Sequence, residues 1–547
     1  MSFTATQTVI ELPPASFSLR KDDQTQITVT PASQLPSRQP SPSSSQIFNA
    51  APSQALLPGY SRYLIILLVI LANLAQFISN ATTIGAGFTL SSELGSEVGP
   101  GKANWMPAAY PLSQGAVVLV SGRLGAIYGH QLLVLIGTGT LVVLSIANGF
   151  CNTYESFIAV RALTGVGGGL VMPNAVAVTT TMIPPGRSRN IALGFFGAAA
   201  PIGGWLGILV AGIFTQVEKW RWMFFTLAII GAIILASLLA LLPKETPVDK
   251  GGKIDYPGAF LGLGGLLLFN FAWNEAPSAG WNSASSIATL GVSVAMFSAF
   301  LVWESRFTAH PIMPLTIFRA PTFTALIFVV LLTYMSFGIS LWYMTAWQQL
   351  VRGWSVLHYA AGFVPFGVGA TAAVFLSAWL IPRLAAQWVM AIGVVMSLAA
   401  NLILATMPAQ QSYWAQTFPA IVLSSVCPDF VYVAAQIIAS NSAGRKQQGV
   451  AGSLIGTLNL YGNALGLGFA GTIETEVAKG GGSDALRGYR AALYFGAALA
   501  VAALALDFAF VRMPKDEREG WDGEEEVIEL GPVRGEATGV ETGSITA

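Results

Sequence analysis

Apolar runs of about 20 residues, free or nearly free of charge, recur fourteen times along this chain, and each is long enough to cross a bilayer as a helix. They fall near 63–86, 104–122, 132–150, 156–181, 190–214, 222–242, 257–274, 284–303, 323–348, 358–381, 386–407, 416–439, 450–473 and 491–511. The stretch 384–428 carries no charge, but Gln410, Gln411, Ser412 and Tyr413 are too polar for a helix centre in lipid and divide it in two. A chain with this pattern is expected to be an all-α polytopic membrane protein.

Composition agrees. Of 547 residues, 53% are hydrophobic and only 10% charged, against about 25% in a soluble protein. The 58 glycines and 29 prolines are tolerated in membrane helices. Formal net charge is zero, which gives no electrostatic reason to expect a nucleic-acid partner. Cys151 and Cys427 are too few for a disulfide framework, and His130, His310 and His358 are scattered, so neither a metal centre nor a cofactor is expected.

Lys and Arg in the loops set orientation. With the N-terminus in the cytoplasm, Arg187, Arg189, Lys250, Lys253, Arg306, Arg319, Arg445 and Lys446 all lie inside, and an even helix count returns the C-terminus there. Trp105, Trp220, Trp222, Trp281, Trp303, Trp354 and Trp414 sit near helix ends, as an interfacial belt requires. Residues 1–61, rich in Ser, Thr, Pro and Gln, read as a disordered tail, with Ser41 to Ser45 a solvated linker rather than a phosphorylation cluster. No secretory signal precedes the first span, and the acidic segment after Val511 reads as a second disordered tail.

Ionisable groups inside a bilayer are costly and point to function. Asp429 lies midway along its helix, and Ser425, Asp429, Tyr432, Gln436 and Ser440 share one face by their spacing. Similar stripes occur at Asn73, Gln76, Asn80 and Thr83, and at Thr333, Ser336, Ser340, Tyr343 and Trp347. Each is either the wall of a polar path or hydrogen-bonding glue between helices. Arg161, with Thr164 nearby, is the other intramembrane charge, while Asp507 lies close to a helix end.

The run Gly165, Gly167, Gly168 and Gly169 lies inside an apolar helix, not between a strand and a helix, so it is read as close packing rather than a phosphate loop. Gly194, Gly197, Ala200, Pro201, Gly203, Gly204, Gly207 and Ala211 repeat that character, as do Gly456, Gly462, Gly466, Gly468 and Gly471. Two glycine-rich helices at matching places hint at internal duplication.

Three segments together carry a family resemblance. Gly122-Arg123-Leu124-Gly125-Ala126-Ile127-Tyr128-Gly129-His130 is similar to the loop signature G-x-L-x-D-x-x-G-[RK] of the major facilitator superfamily, with Ala126 in place of the usual Asp. Arg161 to Gly167 resembles that family's fourth-helix R-x-x-x-G-x-G motif, and Gly194 to Gly207 resembles its antiporter motif, with Ala200 for the usual glycine before Pro201. The chain therefore resembles the fourteen-span drug:proton antiporter branch, of the fungal aminotriazole-resistance and secondary-metabolite efflux type. The resemblance implies two six-helix halves, at 62–243 and 311–512, with two extra transmembrane helices and a linker at 244–310 between tails 1–61 and 513–547. It places helices one, four, nine and twelve around the central cavity.

The expected function is proton-coupled efflux of small amphipathic organic compounds by alternating access. Asp429 and Arg161 would couple protons. Asn73, Gln76, Asn80, Thr164, Ser336, Ser340, Tyr343, Trp347, Ser425, Tyr432 and Gln436 would line the path. Import of a nutrient, polyol or siderophore is the alternative. An enzyme is not expected, since no acid, base, nucleophile and metal constellation converges, and short loops offer little surface for a scaffold. The expected partners are a small-molecule substrate, protons and the lipid bilayer. The chain is expected to act as a monomer in the plasma membrane, with a vacuolar or other internal membrane as the alternative.

Overall fold

The computed structural model describes residues 59–512 apart from 97–98, 184–185, 244, 309–310, 320, 443–447 and 480–484. Both expected tails, Ser41 to Ser45, His310, Arg445 and Lys446 lie outside the described residues, except that 59–61 already belong to the first helix.

Among the described residues fourteen long helices follow one another: α1 (Gly59–Glu93), α2 (Trp105–Tyr128), α3 (His130–Phe150), α4 (Tyr154–Met182), α5 (Arg187–Gln216), α6 (Trp220–Leu241), α7 (Tyr256–Ala279) and α8 (Ala284–Arg306), then α9 (Pro321–Ala346), α10 (Val356–Gly362 and Val364–Leu380), α11 (Ala386–Ala405), α12 (Thr417–Ser442), α13 (Gln448–Lys479) and α14 (Ala485–Phe510). All fourteen expected spans are present as helices, several running past their expected ends. Twelve are long and apolar enough to cross a membrane; α2 and α13 have the length but less apolar content. α10 breaks at Phe363, where Pro365 has no N–H to continue the ladder. α9 ends in a π-turn over Trp347–Val351. The polar segment around Gln410 to Tyr413 is indeed a turn between α11 and α12.

Helix pairing in α1–α6 is repeated in α9–α14. α1 packs on α5, as α9 packs on α13; α2 and α3 flank α4, as α10 and α11 flank α12; α3 meets α6, as α11 meets α14. Across the two groups, α2 lies on α13 and α5 on α10. α7 crosses the α2–α13 contact, with Asn270 Nδ2 donating to Tyr461 O, Asn274 Nδ2 to Ala464 O and Asn104 Nδ2 to Asn274 O. α8 packs chiefly on α7 and presents most of its surface outward, as a lipid-facing helix would.

Glycine makes these contacts close. A Cβ at Gly165 would strike the Tyr110 carbonyl and Ser113 hydroxyl of α2, and one at Gly169 would press on Gln114 O and Val117. In α5, Gly203 and Gly207 lie against the α1 backbone at Leu74 and Ile78, while Gly194 and Gly197 approach Phe375 and Val374 of α10. Gly204 faces open space, and Pro201 sits inside the helix.

The chain enters at Gly59 and leaves at Phe510 at one end of the bundle, termed here the tail end; Thr322 Oγ1 donates to Phe510 O there. Gly129 turns α2 into α3 at that end with φ 107°, a left-handed conformation suited to glycine. Gly125 leaves room for the pair His130 Nδ1···Asn174 Oδ1 at 2.7 Å. Arg123 pairs with Asp249 at 2.7 Å, and Glu245 accepts the Gln131 N–H at 2.7 Å. The linker after α6 thus brings carboxylates to a loop that has Ala126 where the resembling family has Asp. Leu124 is half-buried beside them, and nothing crowds Gly122.

Overpacking one helix contact costs about 1–3 kcal/mol or more. Gly165→Leu is therefore expected to lower the melting temperature in detergent, measured by thiol-reactive dye fluorescence, whereas Gly204→Ala should leave it unchanged.

Candidate functional site

The candidate site is set by where the intramembrane polar groups meet. On α1, Asn73 and Gln76 are fully buried. Gln76 Nε2 donates to Asn73 Oδ1, and Gln76 Oε1 accepts from Tyr110 OH at 3.1 Å and Gln114 Nε2 at 2.8 Å. Asn73 Nδ2 in turn reaches Phe196 O of α5 at 3.3 Å. These bonds join α1, α2 and α5. Gly168 of α4 supplies the space: a Cβ there would strike Tyr110 OH and Gln76 Oε1. Asn80 is half-buried, its backbone carbonyl accepting from Thr83 Oγ1.

Arg161 is fully buried one turn away. Its Nη1 donates to Ser79 Oγ at 3.0 Å and its Nη2 to Ser79 O at 2.7 Å. The guanidinium lies over the Tyr110 ring at 4.9 Å and near the Phe224 ring at 5.8 Å. Among the described residues no carboxylate lies within ion-pair distance of it. The cation is held by a hydroxyl, a carbonyl and two aromatic faces inside the α1–α6 group. Thr164 does not share this environment: its hydroxyl accepts from Asn148 Nδ2 at 3.0 Å, facing α3.

The α9 stripe also divides. Ser336 Oγ bonds to Ser397 Oγ at 3.0 Å and accepts from Asn401 Nδ2 at 3.1 Å, both on α11. Ser340 and Thr333 donate to their own helix, at Phe337 O and Val329 O. Tyr343 OH donates to Glu474 Oε2 of α13 at 2.7 Å. Trp347 packs on Tyr489 and lies 5.9 Å beneath the Arg490 guanidinium. Ser336 and Tyr343 thus hydrogen-bond to neighbouring helices of their own group, whereas Trp347 meets α14 through its ring alone.

On α12, Ser425 is fully buried toward Gly369 of α10, and Gln436 Nε2 donates to Gly452 O of α13 at 3.0 Å. Tyr432 is partly exposed, and its hydroxyl lies across from Gly456. Asp429 differs from all of these. It is half-buried, and its Oδ2 is enclosed without a hydrogen-bond partner. Beside it, Tyr334 OH of α9 donates to Pro428 O at 2.7 Å. Arg161 and Asp429 are not brought into an ion pair. Asp507 of α14 is buried, with Oδ1 unpartnered.

Ser79, Tyr110, Gln114, Ser397, Asn401 and Glu474 belong to these clusters but escaped the sequence reading. Tyr110 and Gln114 stand one helical turn apart, a spacing that marks a shared face. Glu474 was placed beyond a helix expected to stop at 473, but α13 continues through both its acidic residues to Lys479.

Leaving Tyr110 OH and Gln114 Nε2 unpaired in a dry interior costs about 1–3 kcal/mol per group. Gln76→Leu should therefore lower thermal stability, and Gln76→Glu, which retains acceptors for both donors, should lower it less; thermal denaturation in detergent measures the difference.

The chain matches the family model described as Major Facilitator Superfamily over residues 69–467. It is 32% identical to "Efflux pump terJ" of Aspergillus terreus over 81% of this chain and 85% of that protein. It is 31% identical to the "Low affinity ammonium transporter" of Saccharomyces cerevisiae over 78% and 83%, respectively. It is 30% identical to the "Aminotriazole resistance protein" of the same yeast over 81% and 82%.

Proposed function

The chain belongs to the Major Facilitator Superfamily and is a multi-pass membrane transporter, and we propose that it exports small amphipathic organic compounds in exchange for protons. One observation carries the proton assignment: Asp429 is an intramembrane carboxylate with an enclosed, unpartnered oxygen and no ion-pairing cation among the described residues. A carboxylate that no protein cation holds charged is free to take up and release a proton as its surroundings change. Arg161 has a different part in this reading. Fixed to Ser79 and stacked on Tyr110, it holds positive charge in the α1–α6 group while the α9–α14 group changes its protonation.

All fourteen helices cross the membrane in this reading. α2 and α13 manage with less apolar content because they lie on each other, and most of α2 is buried in protein. α1–α6 and α9–α14 act as two halves related by their repeated pairing, rocking along the α2–α13 and α5–α10 contacts. The tail end faces the cytoplasm, the opposite end faces outward, and the protein works as a monomer in the plasma membrane. Export is favoured over import by the names of two relatives, a pump and a resistance protein. The relative named for ammonium is the reason to measure direction directly.

In proteoliposomes with an imposed pH gradient, efflux of a fluorescent amphipathic dye is expected to follow the gradient. Asp429→Asn should bind the dye but lose the response to pH. Undiminished pH-driven efflux by that variant would overturn the coupling role.

A further inference from the structure

Away from Asp429, a second carboxylate stands where the two groups of helices meet at the end opposite the tails. Phe88 of α1 stacks on Trp342 of α9 at 4.3 Å, and Trp342 Nε1 donates to Pro100 O at 2.9 Å. The next residue, Gly101, abuts Glu474 and Gly471 of α13 so closely that a Cβ would collide with both. Glu474 Oε2 accepts from Tyr343 OH at 2.7 Å, the Gly101 backbone N–H donates to the same carboxylate, and Gly488 of α14 packs against its side chain. One side chain therefore ties α13 to α9, to α14 and to the loop between α1 and α2.

From this geometry we propose that Glu474 is a second proton-binding site, which latches this end closed when ionised and releases it when protonated. The inference rests on the reading that this end faces outward.

Among the described residues, the titratable and charged groups facing the carboxylate are Tyr343 of α9, Tyr489 of α14 and Lys102 of the α1–α2 loop. Both phenols are neutral in the physiological range, and Lys102 brings a positive charge to the loop beside the carboxylate. Glu275 of α7, near the same end, is engaged by Trp105 Nε1 at 3.0 Å. Ionised, Glu474 accepts two charge-assisted bonds, each about twice as strong as its neutral counterpart. A proton removes that charge assistance and turns one oxygen into a donor, although both neighbours are themselves donors. Acid on the outer side thus loosens the contact of Gly101 with α13 while the Phe88–Trp342 stack remains.

The test uses cysteines in the full-length protein in membranes. Ser91, buried one turn beyond Phe88, is replaced as Ser91→Cys, with exposed Ser92→Cys as a reactivity control. Native Cys151 and Cys427 are buried and supply the background. Labelling of the Ser91→Cys protein by a membrane-impermeant thiosulfonate, normalised to the control, should rise roughly 5- to 30-fold between external pH of about 8 and about 5. Glu474→Gln, isosteric and still able to accept the Gly101 N–H, should abolish that dependence, and Tyr343→Phe should weaken it. A parent protein with no pH dependence, or equal dependence in Glu474→Gln, would overturn the proposal. Asp429→Asn should keep the labelling response while losing pH-driven efflux, so failure of the latch is distinguishable from failure of Asp429 coupling.

Discussion

Hydrocarbon offers no hydrogen bonds, so a polar side chain on a membrane helix must find its partner within the protein, on its own helix as Ser340 does or on a neighbouring one as Gln76 does. That demand explains much of the bundle. Gln76 accepts from Tyr110 and Gln114, and Gly168 leaves the room that Gln76 and Tyr110 occupy. Gly165 and Gly169 bring α4 against the backbone of α2, and Gly203 and Gly207 bring α5 against α1. Glycine pattern and polar network are two sides of one constraint: missing side chains create the proximity that polar side chains require.

Charge follows the same logic with higher stakes. Arg161 is fully buried, but a hydroxyl, a carbonyl and two aromatic rings surround its guanidinium. Both of its terminal nitrogens have acceptors on Ser79, and only its Nε is left without one. Asp429 has no comparable set of donors on its enclosed oxygen, and Glu474 is held by Tyr343 of α9 and by the loop between α1 and α2. A cation held at both terminal nitrogens, a carboxylate with an unpartnered oxygen and a carboxylate at a junction of helices and a loop are suited to different tasks. The repeated pairing of α1–α6 and α9–α14 provides parts that can move as units, while α7 is hydrogen-bonded along their α2–α13 contact.

The helices were legible because span length and charge avoidance are local properties. Their ends were less so: α1 extends to Glu93 and α13 to Lys479, since a helix buried against others can carry polar residues beyond its apolar run. The polar stripes were legible as stripes, but their direction was not. Periodicity shows that Ser336, Ser340 and Tyr343 share a face; it does not show that Ser336 meets α11 while Tyr343 meets α13. Thr164 follows Arg161 by three residues but bonds to α3, and the Arg161 side chain reaches α1. Neighbours on one helix can serve different interfaces because each interface covers only part of its circumference.

What sequence alone determined was the solvent of this protein and hence its architecture: apolar runs of bilayer length, separated by short polar turns, permit a helical membrane bundle. It also exposed the scarce intramembrane charges, because composition makes each one conspicuous. Tertiary structure decided which of those groups are satisfied. Hydrogen bonds between residues such as Arg161 and Ser79, or Tyr343 and Glu474, depend on helix rotation and approach. Those are properties of packing between distant segments, and no local pattern along the chain specifies them.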